Sequence, residues 1–201
     1  MKTDLEEALD NQFSDFTVMF ELLWDDVIKT GEPASKTSSI GHERRSAVRA
    51  CFAFIEGVMT RTESLCTLIQ VIKGDSPKKK SLDAMMSNVI RQLPDNRTDD
   101  NKDKRKFMER LKESLKSLAT VAGKTLDLST QGNHLLDISS AIKVRDRLMH
   151  PKVAKDLVVS DQELISVMNS TAWYRRQYDN IMAERISKRE ARAAQVAASQ
   201  S

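Results

Sequence analysis

The sequence predicts an all-α protein, an up-and-down bundle of about five to six helices built around one long central helix. Three observations carry that expectation. Apolar residues recur at steps of three and four over long windows, and strand-length alternation of apolar with polar residues is almost absent. Glycine and proline are scarce, 6 and 4 in 201 residues, while charged residues make up 30% and hydrophobic ones 40%, the balance of amphipathic helices that bury one face and solvate the other. A chain of this length builds one sizeable core without needing two, so residues 1–201 read as a single domain.

The first helix is expected from about Asp4 to Lys29. Thr3 and Glu6 have capping-box spacing, Leu5, Leu9, Phe13, Phe16, Phe20, Leu23 and Val27 share one face, and Gly31 with Pro33 should end it. After the Ser/Thr-rich "ASKTSSIG" a longer pattern begins near Glu43 and runs through Val48, Cys51, Phe52, Ile55, Val58, Met59, Thr62, Leu65, Cys66, Ile69 and Ile72. At about 1.5 Å per residue it makes a spar of roughly 45 Å. "KGDSPKKKS" breaks the chain, a short helix is expected from Leu82 to Leu93 before Pro94, and "DNRTDDNKDK" reads as a loop. Phe107, Leu111, Leu115, Leu118 and Ala122 mark the next helix, with Gly123 as its left-handed cap. Another runs from about His134 to Met149. Ser160 and Glu163 form a second capping box that opens the last helix, which passes Trp173 and Tyr174 and should fray at about 190–201.

Charge is unevenly distributed. Residues 1–32 hold two Lys against nine Asp or Glu, a balance of −7 within a chain total of +3, so the remainder carries +10. A basic body behind an acidic segment is compatible with polyanion binding, with the first helix as its mask, although the Leu/Phe stripe argues equally for a helix integral to the core. The start, "MKTDLEEALD", is acidic where a secretory signal would be basic and then apolar, and no apolar run is long enough to span a bilayer. A cytoplasmic protein without membrane contact is the expectation. Cys51 and Cys66 lack metal-ligand spacing and fall on one apolar stripe, which makes them core thiols.

The stretch "AIKVRDRLMHPKVAK" raises the functional question. On a wheel turning about 100° per residue, Arg145 and Asp146 straddle the apolar stripe of Leu135, Ile138, Ile142 and Met149 and do not point away from it. A cation there needs a carboxylate, an anionic ligand or an interface. His150 lies one turn beyond Asp146, where the carboxylate can orient the imidazole, and Pro151 directs the ring away from helical geometry. Ordinary salt bridges for Arg145 and Asp146, with His150 as a C-terminal cap, explain the same pattern.

"RDRLMH" also resembles the Arg-polar-x3-His signature of the HEPN superfamily of helical nucleic-acid-associated proteins. The resemblance extends to the long early helix "RRSAVRACFAFIEGVMTRTESL" and the late position of the motif helix, over about residues 40–155. It implies a metal-independent endoribonuclease, without cofactor, whose active site forms from two motif copies at a homodimer interface, in a defence, stress or toxin setting with a possible regulatory protein partner. His150 would be the general acid or base, Arg145 would stabilise the charge on phosphorus and Asp146 would orient them. Lys143, Arg147 and Lys152 would hold flanking phosphates. Two departures stand out: Asp146 occupies a position where Asn is frequent, and Lys152 stands where a toxin subgroup carries Tyr. Some members of the superfamily are inactive binding or dimerisation modules, which is the competing reading.

Glu56, with Arg45 and Arg49 on the same side of the long helix, is either the structural partner of an arginine or a site carboxylate facing Arg145. Trp24, Trp173 and Tyr174 read as packing anchors, with base stacking as the alternative. Lys78, Lys79 and Lys80 read as a solvated turn, with nucleic-acid contact as the alternative.

Overall fold

A computed structural model describes residues 2–36, 41–73, 100–128 and 132–199. The described chain is all-α: α1 (Lys2–Ala34), α2 (Gly41–Lys73), α3 (Asp100–Val121), α4 (Gly132–Met149) and α5 (Asp161–Ser199), with a short 3-10 turn at Ala154–Leu157. The long central helix is α2, and each of the other four helices packs against it.

Side-chain pairs give the helix directions. Leu23 faces Gly57 and Asp15 approaches Arg61, so α1 and α2 are antiparallel. His134 stacks on Trp173 while Arg147 binds Glu163, so α4 and α5 are antiparallel too. Cys51 meets Met168 at 3.6 Å and Arg44 reaches Asp161, which sets α5 parallel to α2. One apolar core joins all five helices: Phe13, Phe16 and Phe20 from α1, Phe54, Ile55 and Met59 from α2, Leu111 and Leu115 from α3, Ile138 and Ile142 from α4, and Trp173 and Tyr174 from α5. The first helix is therefore integral to the core, and the reading of it as a detachable mask gives way. Among its described side chains, Asp15, Glu21, Asp25, Asp26 and Glu32 are exposed.

Trp173 and Tyr174 are packing anchors, each 1% exposed. Half-buried Trp24 carries the Arg175 guanidinium 4.3 Å from its ring centre, and Glu21 and Asp179 lie near the same cation. Arg175 is a second cation turned inward that the sequence reading did not single out. Burial pushes both thiols up to about 11, which fits Cys51 and Cys66 as protonated core residues.

Several boundaries differ from expectation. Helix α1 continues to Ala34 with Pro33 inside it. Gly31 is a close-approach position, not a stop, because a Cβ there would meet Met168 Cε at 2.7 Å. Ser35 N–H still donates to Gly31 O beyond the proline, so the missing proline N–H removes one bond without ending the helix. The polar run "DNRTDDNKDK" is helical from Asp100 onward. Helix α5 stays helical through Ser199, past the point where fraying is expected. The expected helix at 82–93, the lysines at 78–80 and the Thr3–Glu6 side chains lie outside the described residues.

The caps follow the sequence. Ser160 Oγ accepts from Glu163 N–H while Glu163 Oε2 accepts from Ser160 N–H at 2.9 Å, a reciprocal box. Gly123 has φ 71°, Lys124 N–H donates to Ala119 O and Gly123 N–H to Thr120 O, the two bonds of a Schellman cap. Since a Cβ there meets left-handed strain but no neighbouring atom, Gly123→Ala should lower stability by about 1–2 kcal/mol. Urea denaturation followed by circular dichroism measures it.

Candidate functional site

Helix α4 presents Arg145 to α2. Its Nη2 donates to Glu56 Oε1 at 2.5 Å and its Nη1 to Asp146 Oδ1 at 3.1 Å. The guanidinium carbon lies 5.8 Å and 5.9 Å from the ring centres of Phe52 and Phe107, inside the range where a ring's negative face attracts a cation. This explains a charged residue beside an apolar stripe. The alkyl stem and the flat cation rest on aromatic carbon while two carboxylates neutralise the head. The Arg145 side chain remains 30% exposed, and among the described residues its two carboxylate bonds use two of the five N–H groups of a guanidinium.

Glu56 thus pairs with Arg145 across the helix interface, a contact that both of its readings allow. Asp146 is half-buried beside Arg145, and one turn on His150 N–H donates to Asp146 O at 3.0 Å, closing the last turn of α4. The His150 side chain is exposed, as are Lys143, Lys152 and Arg49. The structure therefore brings Arg145, Asp146 and Glu56 into contact and leaves His150, Lys143 and Lys152 in solvent at the same end of α4.

Arg147, expected at a flanking phosphate, is engaged within the chain. Its Nη1 and Nη2 bind Glu163 at 2.9 Å and 3.1 Å, its Nε donates to Asp156 O and its Nη2 also to Val158 O. Two residues that the sequence reading did not assign to this segment add to the clamp. Arg44 donates to Val159 O and pairs with Asp161, and Arg45 donates to Leu157 O. Three arginines so satisfy the carbonyls of a segment whose own helical bonding lasts one short turn. The clue was available in "HERRSAVR", but sequence alone does not show which carbonyls those side chains meet.

Asp156 completes the loop after His150, accepting from Lys152 N–H at 2.7 Å and Val153 N–H at 3.0 Å. Those bonds hold its carboxyl below the usual range. At Glu163 burial pushes the carboxyl up, but the bonds and charge from Arg147 and the bonds from Ser160 outweigh it, and the net direction is down. A depressed folded value means that the unfolded chain binds the proton more readily. The stability contributed by Glu163 is complete above the unfolded value of about 4.3 and is lost as pH falls through the folded one. Glu163→Gln should be less stable than the parent at neutral pH, with the gap closing below about pH 4. Urea midpoints across that range measure the convergence.

The apolar stripe of Leu135, Ile138, Ile142 and Met149 is largely covered within the chain. Ile138 and Ile142 are buried and Leu135 is half-buried, whereas Met149 is exposed. The reason is the depth of contact with α5 and α2, which the wheel of an isolated helix does not report. Among the described residues no helix is long and apolar enough to cross a membrane, and no three His, Cys, Asp or Glu side chains gather as metal ligands. Comparison with known protein families, with curated proteins and with solved structures finds no match to this chain.

Proposed function

We propose that the chain is a metal-independent endoribonuclease of the HEPN type, acting through Arg145, Asp146 and His150. The observation that supports this most is the state of Arg145. It is fixed in direction by Glu56 and Asp146 yet partly open to solvent, at the helix end that also carries the exposed His150. In the proposed reaction an imidazole takes the proton of the ribose 2′-hydroxyl, the 2′-oxygen attacks phosphorus and the 5′-oxygen leaves with a proton. The products are a 2′,3′-cyclic phosphate and a 5′-hydroxyl end. Arg145 donates to the non-bridging oxygens as charge grows on them, and Lys143 and Lys152 hold the flanking phosphates.

One copy supplies one imidazole, whereas the reaction needs a base and an acid. A homodimer in a cytoplasmic setting, with two motif ends facing one cleft, supplies both. The test is cleavage of single-stranded RNA in EDTA by the purified protein, with His150→Ala as the control that removes the proton carrier.

A second reading is favoured by the local charge. Glu56 and Asp146 place two negative charges against one positive at Arg145, which weakens attraction for a phosphodiester unless nearby lysines compensate. In that reading the chain is a non-catalytic helical module that binds a nucleic acid, a nucleotide or a second protein. RNA binding without any cutting selects it.

A further inference from the structure

Two exposed surfaces of this chain match one another in chemistry. The first is the outer side of α1, opposite Phe16, Phe20 and Val27. There Val18 and Leu22, one turn apart, are 59% and 62% exposed; Asp15, Asp25 and Asp26 stand exposed around them, with Asp25 paired to exposed Lys29 and Asp15 3.9 Å from Arg61, so three acids against one lysine leave the face net negative. The second is the loop from α4 to α5, where Met149, Val153 and Val158 are 54%, 61% and 62% exposed among exposed His150, Lys152 and Lys155. The acid of that loop, Asp156, is held ionised by the backbone N–H groups of Lys152 and Val153, and two lysines against one carboxylate leave the loop net positive. Each surface combines exposed apolar side chains with charge, and the two net charges have opposite sign.

We infer that the acidic face of α1 in one molecule docks on the α4–α5 loop of a second copy. Both surfaces are held rigid, the first by the Phe stripe behind it and the second by the Arg44, Arg45 and Arg147 clamp, so little order must be gained on binding. The contact is heterologous, each copy offering its α1 face to one neighbour and its loop to another. It covers His150 and Lys152, so a docked α1 occupies the surface that a polyanion would use. It stands whether or not the chain cuts RNA.

Sedimentation velocity of the full chain tests the inference through complementary charge reversals. The parent should show a concentration-dependent association step at low salt that added salt removes. Asp15→Lys with Asp26→Lys, and separately Lys152→Glu with Lys155→Glu, should each weaken that step about tenfold or more. An equimolar mixture of the two variants should restore it, because a basic α1 face then meets an acidic loop. Leu22→Gln should weaken it without changing any charge. Circular dichroism confirms that each variant is folded. A parent that shows no such step, an α1 variant that associates like the parent, or a mixture no more associated than its components overturns the inference.

Discussion

His150→Ala is expected to reduce cleavage of single-stranded RNA in EDTA by about 10²- to 10⁴-fold, the range that a positioned proton carrier contributes. Binding should change little, because the imidazole acts in proton transfer and not in holding the substrate. Arg145→Ala should lose cutting to a similar extent and also weaken binding and its salt dependence, since it removes the proposed phosphate contact and leaves Glu56 and Asp146 without their shared cation. Arg145→Lys should not restore the rate: an ammonium cannot hold two carboxylates and a phosphate in one plane. All three variants should stay folded. His150 is exposed, and an ion pair as open as Arg145–Glu56 contributes about 1 kcal/mol or less. Undiminished cutting by His150→Ala in nuclease-free preparations sinks the proposed site.

Much of the fold was legible because it follows from local rules. The periodicity of α2, the box at Ser160 and Glu163 and the left-handed Gly123 each rest on residues within a few positions of one another. What the sequence hid depends on long-range approach. Gly31 looks like a helix stop until Met168 is seen against it, and Pro33 sits where a helix already near its end tolerates it. The site divides in the same way. That Arg145 needs a carboxylate was legible from its place on the wheel, and Glu56 was a candidate, but the Phe52 and Phe107 rings beneath it were not. Arg147 was expected at a flanking phosphate because a basic residue beside a motif resembles a phosphate ligand, while the partners it meets within the chain are carbonyls and a carboxylate up to 16 positions away.

The clamp also changes how basic charge near the motif is counted. Arg44, Arg45 and Arg147 contribute to the +10 balance after residue 32, yet each is held by carbonyls or carboxylates. Among the described residues of α4 and the loop after it, the exposed cations are Lys143, Lys152 and Lys155. Net charge therefore overstates the positive field at this end of α4.

Trp173→Ala should be the most disruptive single substitution to stability, lowering it by about 3–5 kcal/mol. The indole is 1% exposed and stacks on His134, 5.9 Å away with planes at 21°, so it ties the start of α4 to the middle of α5. Truncation leaves a cavity among side chains of a core shared by five helices, and helical backbones cannot close it without moving. Against a typical domain stability of about 5–15 kcal/mol, that loss shifts the thermal midpoint by roughly 10 °C or more. Trp173→Phe keeps an aromatic ring and should recover most of the difference. The same pair of variants separates packing from base stacking. If Trp173 stacked on RNA bases, alanine would weaken RNA binding by about 1–3 kcal/mol per base and leave the urea midpoint in place. Burial predicts the reverse: a large shift in midpoint, with RNA affinity unchanged at temperatures where the variant is folded.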